Sequence, residues 1–439
     1  MNLLVLGDQN LTRFLTDALS RLKVRVEGVE DEKSFLRKLS KSPKTVIVDE
    51  DFAGVNIFRK SSLLAVLKRS KHPFIVLSPS KDTRHIASIY AAGAADTIVK
   101  PFSTRELVMR VIAVAERKKH IACIGGGTGL FTLLLGLKTL PNALLTSIVN
   151  MSDDGGSSGK LSQSFGILPP GDIRRSLVAL SNAPEVMNQI MQYRFDRGGE
   201  LRGHSFGNIF LTVLAQVKGS MPEAVRALSD ILNIQGIVLP ATTTLTTLVA
   251  KFENGHVERG ESKIDLREGR RVDLKITKLW RDPEPDVHPD AYASILHADV
   301  VIIGPGDLYT SIISNLGVND LRHALLTTKA KIIYVCNLMT KPGETAAFDA
   351  ADHVREIVRS LGKDILHTIL ISNSKLSSES IHEYSKKNQI PVTIKNKLKL
   401  QKATKAKIVY ADIGNETELV RHDSMKLRNE IEKLMGRLR

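Results

Sequence analysis

The sequence predicts an α/β protein with two doubly wound parallel sheets, and three observations support this fold class. Short apolar runs alternate with helical patterns along most of the 439 residues, which is typical of parallel sheets covered by helices. The length suits two or three domains. The basic stretch at residues 117–120 has the composition of a linker, so we predict one domain over residues 1–117 and another over 118–439.

The first domain is predicted from five strand–helix units. Strands are expected at residues 3–6, 24–26, 45–48, 74–77 and 97–99. Helical patterns are expected at residues 11–22, 33–39, 61–68, 83–92 and 106–116. Strands that alternate with helices in this way form a parallel, doubly wound sheet.

The second domain is larger and less regular. Its strands are expected at residues 121–124, 144–149, 236–239, 300–303, 331–335, 365–371 and 407–411. Between residues 243 and 281 the pattern changes to short alternating runs broken by glycines, which predicts a small antiparallel insertion. Residues 251–273 are rich in Glu, Arg and Gly, which predicts either an exposed flap or an insertion. A polar amphipathic helix is expected at residues 420–439.

Composition narrows the classes of partner. The net charge of +15 is typical of nucleic-acid-binding proteins, but the basic residues are spread, aromatic residues make up 5%, and no helix-turn-helix, zinc-finger or RNP-like pattern occurs. We therefore expect no nucleic acid partner. Cys123 and Cys336 lie in apolar runs and are predicted to be buried free thiols. No apolar run reaches the ~20 residues of a membrane span, and the N-terminus lacks a basic leader. We expect a cytoplasmic homo-oligomer.

The first group of candidate site residues forms a glycine-rich loop between a predicted strand and a predicted helix. It comprises Gly125, Gly126, Gly127, Thr128 and Gly129. Such a loop lets backbone N–H groups and the helix N-terminus bind an anion. A dinucleotide fingerprint would need glycine at its sixth position, where Leu130 stands. A ligand loop is favoured, and a tight structural turn is the alternative.

The second loop follows the next strand and adds carboxylates, hydroxyls and an ammonium group. Its candidates are Asp153, Asp154, Gly155, Gly156, Ser157, Ser158 and Lys160. Mg²⁺ prefers carboxylate and phosphate oxygens, so the loop predicts a metal-bound diphosphate with Asp153 and Asp154 as metal ligands. If the protein is an enzyme, these two acids are also its catalytic candidates. In the alternative, one carboxylate only caps the following turn.

Two further turns lead into predicted helices. Asp172 is either the N-cap of its helix or a ligand contact, and Arg174 either binds a diphosphate or faces water. His204 and Asn208 flank the start of another helix, where they either line an anion site or have structural roles.

The last glycine loop follows a very apolar strand. Gly304, Gly306, Asp307 and Thr310 form another predicted phosphate cradle. In open parallel sheets, ligands gather at the carboxyl ends of the strands near a switch point. We therefore expect the loops of the second domain to converge on one crevice.

Seven ordered motifs resemble those of the bacterial gluconeogenesis factor family. They read GGGTGL, SDDGGSSGKL, ILPPGDIRRSL, RGHSFGN, VLPATT, IIGPGDLYTSI and CNLMTKPGET, and the likeness spans residues 119–423. That family belongs to the same superfamily as 2-phospho-L-lactate transferase. The resemblance implies a Rossmann-like core that binds a nucleotide diphosphate derivative, with a UDP-sugar as the first candidate, and regulates carbon flux and cell-wall morphogenesis. It also implies a ligand contact for Arg421.

The alternative that the resemblance implies is an enzyme. It would be a Mg²⁺-dependent transferase of a phospho-linked group from a nucleotide diphosphate donor. The chain departs from the family pattern at four positions, because the pattern has Arg for Lys160, Asn for Arg175, Ser for Asp307 and Gln for Lys341. Asp307 places a carboxylate in a predicted phosphate loop, where a metal or a sugar hydroxyl would have to meet it.

The first domain resembles a response-regulator receiver domain. Its marks are Asp8, Asp49, Ser78 and the Lys-Pro-Phe sequence at residues 100–102. Phosphoryl transfer to Asp49 needs acids that hold Mg²⁺, and Gly7 stands where the second acid is expected. Either Asp49 is a phosphoacceptor, or the domain is a pseudo-receiver for docking or dimerisation. The whole chain is thus predicted as a receiver-like sheet followed by a larger Rossmann-like domain with an antiparallel insertion.

Overall fold

The first sheet lies in the N-terminal part of the chain. The structure, a computed structural model, describes residues 2–40, 43, 45–52, 61–70, 72–265, 274–416 and 419–437. Strands β1 to β5 lie at Asn2–Leu6, Arg25–Val29, Thr45–Asp49, Phe74–Ser78 and Asp96–Val99. Helices α1 to α5 lie at Gln9–Leu19, Glu32–Leu39, Ser61–Arg69, Thr83–Ala91 and Thr104–Ala115. The strands are parallel in the order β2-β1-β3-β4-β5. This is the doubly wound order of flavodoxin-like folds, and it confirms the receiver-like prediction.

The second domain contains the remaining strands and helices. Strands β6 to β17 lie at Lys119–Gly125, Ala143–Val149, Ile237–Pro240, Thr247–Phe252, Val257–Arg259, Ile276–Asp282, Val300–Ile303, Lys331–Val335, Thr368–Ser372, Lys407–Ala411, Gly414–Asn415 and Arg421–His422. Helices α6 to α19 lie at Gly127–Leu137, Gly156–Phe165, Gly171–Leu180, Glu185–Gln192, Phe206–Lys218, Met221–Ile231, Glu261–Asp265, Pro289–His297, Ser314–Leu316, Asn319–Thr327, Ala350–Leu361, Ser378–Ser385, Lys397–Ala403 and Ser424–Arg437.

Seven of these strands build the large parallel sheet in the order β15-β14-β13-β12-β6-β7-β8. The chain enters at β6, continues to β7 and β8 on one side, and later adds β12 on the other side of β6. The strand order therefore reverses direction between β6 and β12, which makes a switch point of the kind where open α/β sheets bind their ligands. Buried apolar residues on both sheet faces, covered by helices, explain the continuous apolar strands in the sequence.

The predicted antiparallel insertion is confirmed. It consists of β10, β9 and β11 in that spatial order, with the short helix α12 beside them. The prediction of an exposed flap is wrong for Gly260 and Ile264, because both are buried. Residues 266–273 of the predicted flap lie outside the described residues.

Helix α13 connects the two sheets. It contacts α4 and β5, and α5 contacts β7. The backbone N–H of Val99 on β5 donates to Asp290 Oδ1 on α13 at 3.2 Å. The first sheet ends before residues 116–118 and the second begins after them, while independent folding of residues 1–117 and 118–439 stays a prediction.

Two further sequence predictions concern cysteines and membranes. Cys123 and Cys336 are buried free thiols, as predicted. Among the helices of the described residues, none is long and apolar enough to cross a bilayer.

Candidate functional site

Four loops meet at the carboxyl edge of the large sheet. The N–H of Asn150, after β7, donates to Gly125 O at the end of β6 at 2.8 Å. A Cβ at Gly129 would lie only 2.4 Å from Pro305 O, so the first glycine loop packs directly against the loop after β12. Asn337, after β13, donates to Gly306 O at 2.8 Å. The predicted convergence of these loops is therefore present.

Glycine is required at two positions of the first loop for different structural reasons. Gly129 permits the close packing just described. Gly127 has φ +62°, a left-handed conformation that favours glycine, and a Cβ there would meet no protein atom within 4 Å. Gly127 thus borders the open space of the crevice, whereas Gly129 is enclosed by the protein.

Asp172 is buried and ties the first loop to helix α8. The prediction that Asp172 is an N-cap is wrong, because α8 begins at Gly171 with Pro170 as the capping residue. The Gly127 N–H donates to Asp172 Oδ2 at 2.8 Å, and Arg175 donates to Asp172 Oδ1 at 2.8 Å. The carboxylate therefore occupies the anion position that the glycine loop offers.

The predicted acid pair diverges. Asp153 Oδ1 accepts the Gly155 N–H at 3.2 Å. Burial and the charge of Asp172 raise the pKa of Asp153 to about 6. Asp154 instead turns to the insertion, where its Oδ1 accepts the Ser262 N–H at 2.7 Å.

Glu261 is an acid of the crevice that the sequence did not indicate. It stands at the start of α12, and its carboxylate accepts the hydroxyl of Ser152. Burial, followed by the charge of Asp153, raises the pKa of Glu261 well above its ordinary value. In sequence it belongs to a charged, glycine-containing segment, and nothing local distinguishes it from a solvated glutamate.

Arg281 on β11 is a second residue that the sequence did not indicate. It is buried, and it donates to Asn150 Oδ1 at 2.5 Å and to Ser314 O at 3.0 Å. Burial lowers the pKa of Arg281 to about 10. Asn150 in turn donates a hydrogen bond to Thr310 O at 2.9 Å, which connects Arg281 to the loop after β12. The insertion therefore supports the floor of the crevice through this guanidinium.

Asp307 and Lys341 depart from the family pattern together, and they contact each other. Lys341 Nζ lies 2.5 Å from Asp307 Oδ2, 3.4 Å from Glu344 Oε1, and in contact with Asp265. Burial lowers the pKa of Lys341, but Glu344 and Asp307 outweigh it and the net direction is upward. The unexpected carboxylate in the phosphate loop thus has a partner within the chain.

The loop after β12 is held by a second carboxylate. Glu344 accepts the Tyr309 N–H at 2.9 Å and the Thr310 hydroxyl at 2.7 Å. Thr310 is fully buried, so its hydroxyl serves the loop itself. Gly304 has φ +76°, which the tight exit from β12 requires.

The remaining polar candidates hold helices α7, α8 and α10 together. Ser157 Oγ lies 3.1 Å from His204 Nδ1 and accepts Asn208 Nδ2 at 3.2 Å. Arg174 Nε donates to Asn208 Oδ1 at 2.8 Å, and both residues are buried. These contacts support structural roles for Asn208 and Arg174.

Four candidates remain at the rim or beneath it. Ser158 is buried and accepts the Gly171 N–H at 3.1 Å, whereas Lys160 and Gly156 are exposed. Arg421 on β17 is exposed. Its neighbour His422 lies 3.2 Å from Cys336 O just after β13, which places Arg421 at the same edge of the sheet.

The crevice is acidic although the whole chain is strongly basic. The four cations already placed here, Arg174, Arg175, Arg281 and Lys341, are outnumbered by a larger set of carboxylates. The set is Asp153, Asp154, Asp172, Glu261, Asp265, Asp307 and Glu344. Asp265, Asp307 and Glu344 have a metal-like spacing, but the ammonium of Lys341 contacts all three. The carboxylate oxygens of Asp153, Asp172 and Glu261 are the donor type that Mg²⁺ prefers, although among the described residues these three acids do not form a cluster with metal-ligand spacing.

Comparisons with known proteins agree with this architecture. The model of the family "2-phospho-L-lactate transferase CofD" matches residues 121–413. A gluconeogenesis factor of Bacillus subtilis is 38% identical over 321 residues, covering 73% of this chain and 99% of that protein. One of Listeria monocytogenes is 36% identical, covering 72% and 95%. A crystal structure of a UPF0052 family member from Bacillus halodurans is 36% identical with a TM-score of 0.68, covering 72% and 99%.

Proposed function

We propose that this chain, which belongs to the CofD family and has gluconeogenesis factors among its relatives, binds a nucleotide diphosphate derivative through Mg²⁺. A UDP-sugar is the first candidate ligand. The observation that carries the proposal is an excess of carboxylates among glycine loops at the switch point of the large sheet. A free diphosphate would be repelled there, whereas a diphosphate that shares a cation with the protein would be attracted.

The division of roles among the acids follows from their contacts. Asp153 uses one oxygen for the Gly155 N–H and lies beside Asp172 and Glu261, so it is the proposed main metal ligand. Asp154 was predicted as the other ligand, but its contact with Ser262 favours a role in closing the insertion over the crevice. The backbone N–H groups of the glycine loops thus orient the carboxylates. The carboxylates would bind the cation, and the cation would bind the diphosphate.

We propose a regulatory role in carbon flux and cell-wall morphogenesis as the biological outcome. The support is the likeness over nearly the full length of gluconeogenesis factors. Such a regulator would bind its ligand in the cytoplasm and leave it unchanged.

The second candidate is a transferase, as the description of the matched family suggests. One observation favours it. A carboxyl group with a pKa of about 6 is suited to accept a proton from an acceptor hydroxyl near neutral pH, and Asp153 has this property. Asp153 would then take the proton of the acceptor hydroxyl as its oxygen bonds to the phosphorus of the transferred group. The P–O–P bond of the donor would break and release a nucleoside monophosphate, whose charge a cation held by the neighbouring carboxylates could stabilise.

A ligand screen separates the two candidates. Thermal unfolding is followed with UDP-sugars, UDP and GDP, each with Mg²⁺ and with EDTA, and the nucleotides are then analysed by chromatography. Ligand at ~100 Kd should stabilise the fold by about 2.7 kcal/mol. Mg²⁺-dependent stabilisation with an intact UDP-sugar supports the regulator, whereas consumption of a donor in the presence of a hydroxyl acceptor supports the transferase. No stabilisation by any diphosphate would contradict both.

A homo-oligomer is also proposed. The support is a group of exposed apolar side chains on the neighbouring helices α9 and α10. They are Val186, Ile190, Val213 and Val217. Light scattering coupled to size-exclusion chromatography measures the mass, and a monomer at micromolar concentration would contradict the proposal.

A further inference from the structure

A second group of potential metal ligands lies at the junction of the two sheets, outside the crevice. It consists of Asp96 on β5, His120 on β6 and His297 at the end of α13. One ligand atom from each residue lies within 4.8 Å of the others. The carboxylate comes from the first sheet, and the two imidazoles come from the second domain.

Two of these ligand atoms are unpartnered. His120 is 6% exposed, and its Nε2 makes no hydrogen bond. His297 Nδ1 also makes no hydrogen bond, although it lies 3.4 Å from Asp96 Oδ1. Buried polar atoms are normally paired, so two imidazoles that each have an orphaned nitrogen close to one carboxylate need an explanation.

We propose that Asp96, His120 and His297 form a binding site for one divalent transition metal ion, with Zn²⁺ as the fitting member of this class. Imidazole nitrogen together with a carboxylate oxygen is a typical ligand set for Zn²⁺. Bonds of about 2.0–2.2 Å in a tetrahedron place neighbouring ligand atoms about 3.3–3.5 Å apart. The separation of 3.4 Å between His297 Nδ1 and Asp96 Oδ1 already has this value.

The imidazoles of His120 and His297 pack against each other. Their ring centroids are 3.7 Å apart at an interplanar angle of 39°.

Neighbouring side chains hold the carboxylate in place. Arg110 NH1 donates to Asp96 Oδ1 at 3.1 Å and to Oδ2 at 3.2 Å, and the Tyr90 hydroxyl donates to Oδ1 at 3.1 Å. Such second-shell contacts orient metal ligands. Ion pairs around the site join Asp96 and Glu106 to Arg110, Asp290 to Arg226, and Asp299 to Lys119.

The position of the site gives the ion a structural task. It would link β5 of the first sheet to β6 and α13 of the second domain, beside the contact of Val99 with Asp290. Since Zn²⁺ would bind the joined domains and not the separated ones, it should raise the stability of the junction by mass action.

The test uses the full chain, stripped with EDTA and then dialysed against ZnCl₂. We expect one tightly bound zinc per chain by elemental analysis and a higher unfolding temperature with zinc than with EDTA. Co²⁺ in place of Zn²⁺ should give the visible absorption of a tetrahedral site. A stripped and reloaded native chain that holds no stoichiometric metal would overturn the proposal without any variant.

Variants locate the ion. Loss of a second-shell partner lowers metal affinity about 10–100-fold, so His120→Ala and His297→Gln, which each remove a ligand, should lower it at least about 100-fold. The matched control is His323→Ala, an exposed histidine on α15 that contacts the Tyr292 hydroxyl. It should keep full affinity. Circular dichroism checks that each variant folds. If His120→Ala does not fold, His297→Gln still tests the proposal, because it keeps a polar side chain at its position. Equal zinc in a folded ligand variant and in the control would place the ion elsewhere and overturn the proposal.

Discussion

Acidic residues lie at the carboxyl edges of both parallel sheets, but the chain neutralises them differently. At the first sheet, Lys100 Nζ lies 2.6 Å from Asp49 Oδ1 and 2.9 Å from Asp51 Oδ2. Asp8 caps α1 by accepting the Leu11 N–H at 2.7 Å. At the second sheet, besides burial, the charge of Asp172 raises the pKa of Asp153 and the charge of Asp153 raises the pKa of Glu261, while neither acid forms an ion pair with a described residue.

The difference separates a self-contained edge from one that requires a ligand. Carboxylates that are paired within the chain gain little from an external cation, whereas crowded unpaired ones gain much. The ion pair of Lys341 with Asp307 is an intermediate case, because the chain supplies an ammonium where three carboxylates would otherwise suit a metal. The following predictions test this comparison.

Lys341→Gln has the largest expected effect. It leaves Asp265, Asp307 and Glu344 together without a cation. Because only Glu344 is fully buried, we expect the low end of the range for buried ion pairs, about 3 kcal/mol. Urea unfolding should show this loss, and added MgCl₂ should restore part of it. Lys160→Gln is the control, because Lys160 is exposed, and it should change little.

The double variant Asp307→Ser with Lys341→Gln sharpens this prediction. It removes one carboxylate along with the ammonium, and it matches the family pattern at both positions. It should be more stable than Lys341→Gln alone. Equal stability of the single and double variants would mean that the two residues are not coupled.

Gly127→Ala should weaken ligand binding next most strongly, by about 100-fold or 2.7 kcal/mol. Its Cβ would project into the open crevice, and its φ of +62° adds a strain of roughly 1–2 kcal/mol to the fold. Gly156→Ala, at φ +46° with equally open surroundings, should behave alike. Calorimetric titration with the diphosphate ligand and Mg²⁺ measures the affinity.

Gly166→Ala is the matched control for the glycine variants. Gly166 also has φ +62° and open space around its Cα, but it lies at the C-cap of α7, away from the crevice. It should lose similar stability and keep full affinity. If Gly127→Ala and Gly166→Ala bind equally well, the first glycine loop is a structural turn.

Asp153 predicts a pH dependence of binding. With a pKa of about 6, its carboxyl group is about nine-tenths protonated at pH 5, so Mg²⁺-dependent affinity should be about tenfold lower at pH 5 than at pH 7. The Asp153→Asn variant should bind the ligand weakly, and its affinity should be the same at pH 5 and pH 7. Asp154→Asn should keep the slope, since Asp154 contacts Ser262.

The same group affects stability in the opposite direction when Mg²⁺ is absent. The pKa of Asp153 is raised in the folded state, so the fold binds more protons than the unfolded chain between about pH 4 and 6. Its contribution to stability is therefore present at low pH and is lost as the pH rises to about 6. Urea unfolding of the native chain and of Asp153→Asn at pH 4.5 and 7 isolates this contribution, and identical pH slopes would contradict it.

Gly7→Asp has the smallest expected effect. Asp49 is paired with Lys100, and one acid of the receiver set is missing, so Mg²⁺ with a small phosphodonor should leave the native chain almost unphosphorylated. Gly7→Asp should increase the acid-labile phosphate detected by intact mass spectrometry. Its Cβ would lie 2.8 Å from Leu11 Cδ2, which is the end of a flexible side chain. Strong phosphorylation of Asp49 in the native chain would contradict the conclusion that the acids at the edge of the first sheet are neutralised within the chain.

The sequence alone determined the two parallel sheets, the antiparallel insertion and the convergence of the glycine loops. Each of these follows from local signals: apolar periodicity, glycine between a strand and a helix, and the rule that parallel strands end at one edge. Gly127 is an example, because its neighbours in sequence already indicated a turn from strand to helix. The same local reasoning failed for Asp172, since an aspartate near a helix start usually caps it.

Only the tertiary structure decided which charges meet. Glu261 reaches Ser152 across more than a hundred positions, Arg281 reaches Asn150 in the same way, and Lys341 meets Asp307 across 34. Side-chain chemistry in a sequence carries no information about such distances, because they are fixed by how β9, β11 and α12 pack on the large sheet. Electrostatic interactions depend on separation and burial, so the acidity of the crevice in a chain of net charge +15 emerged from the packing.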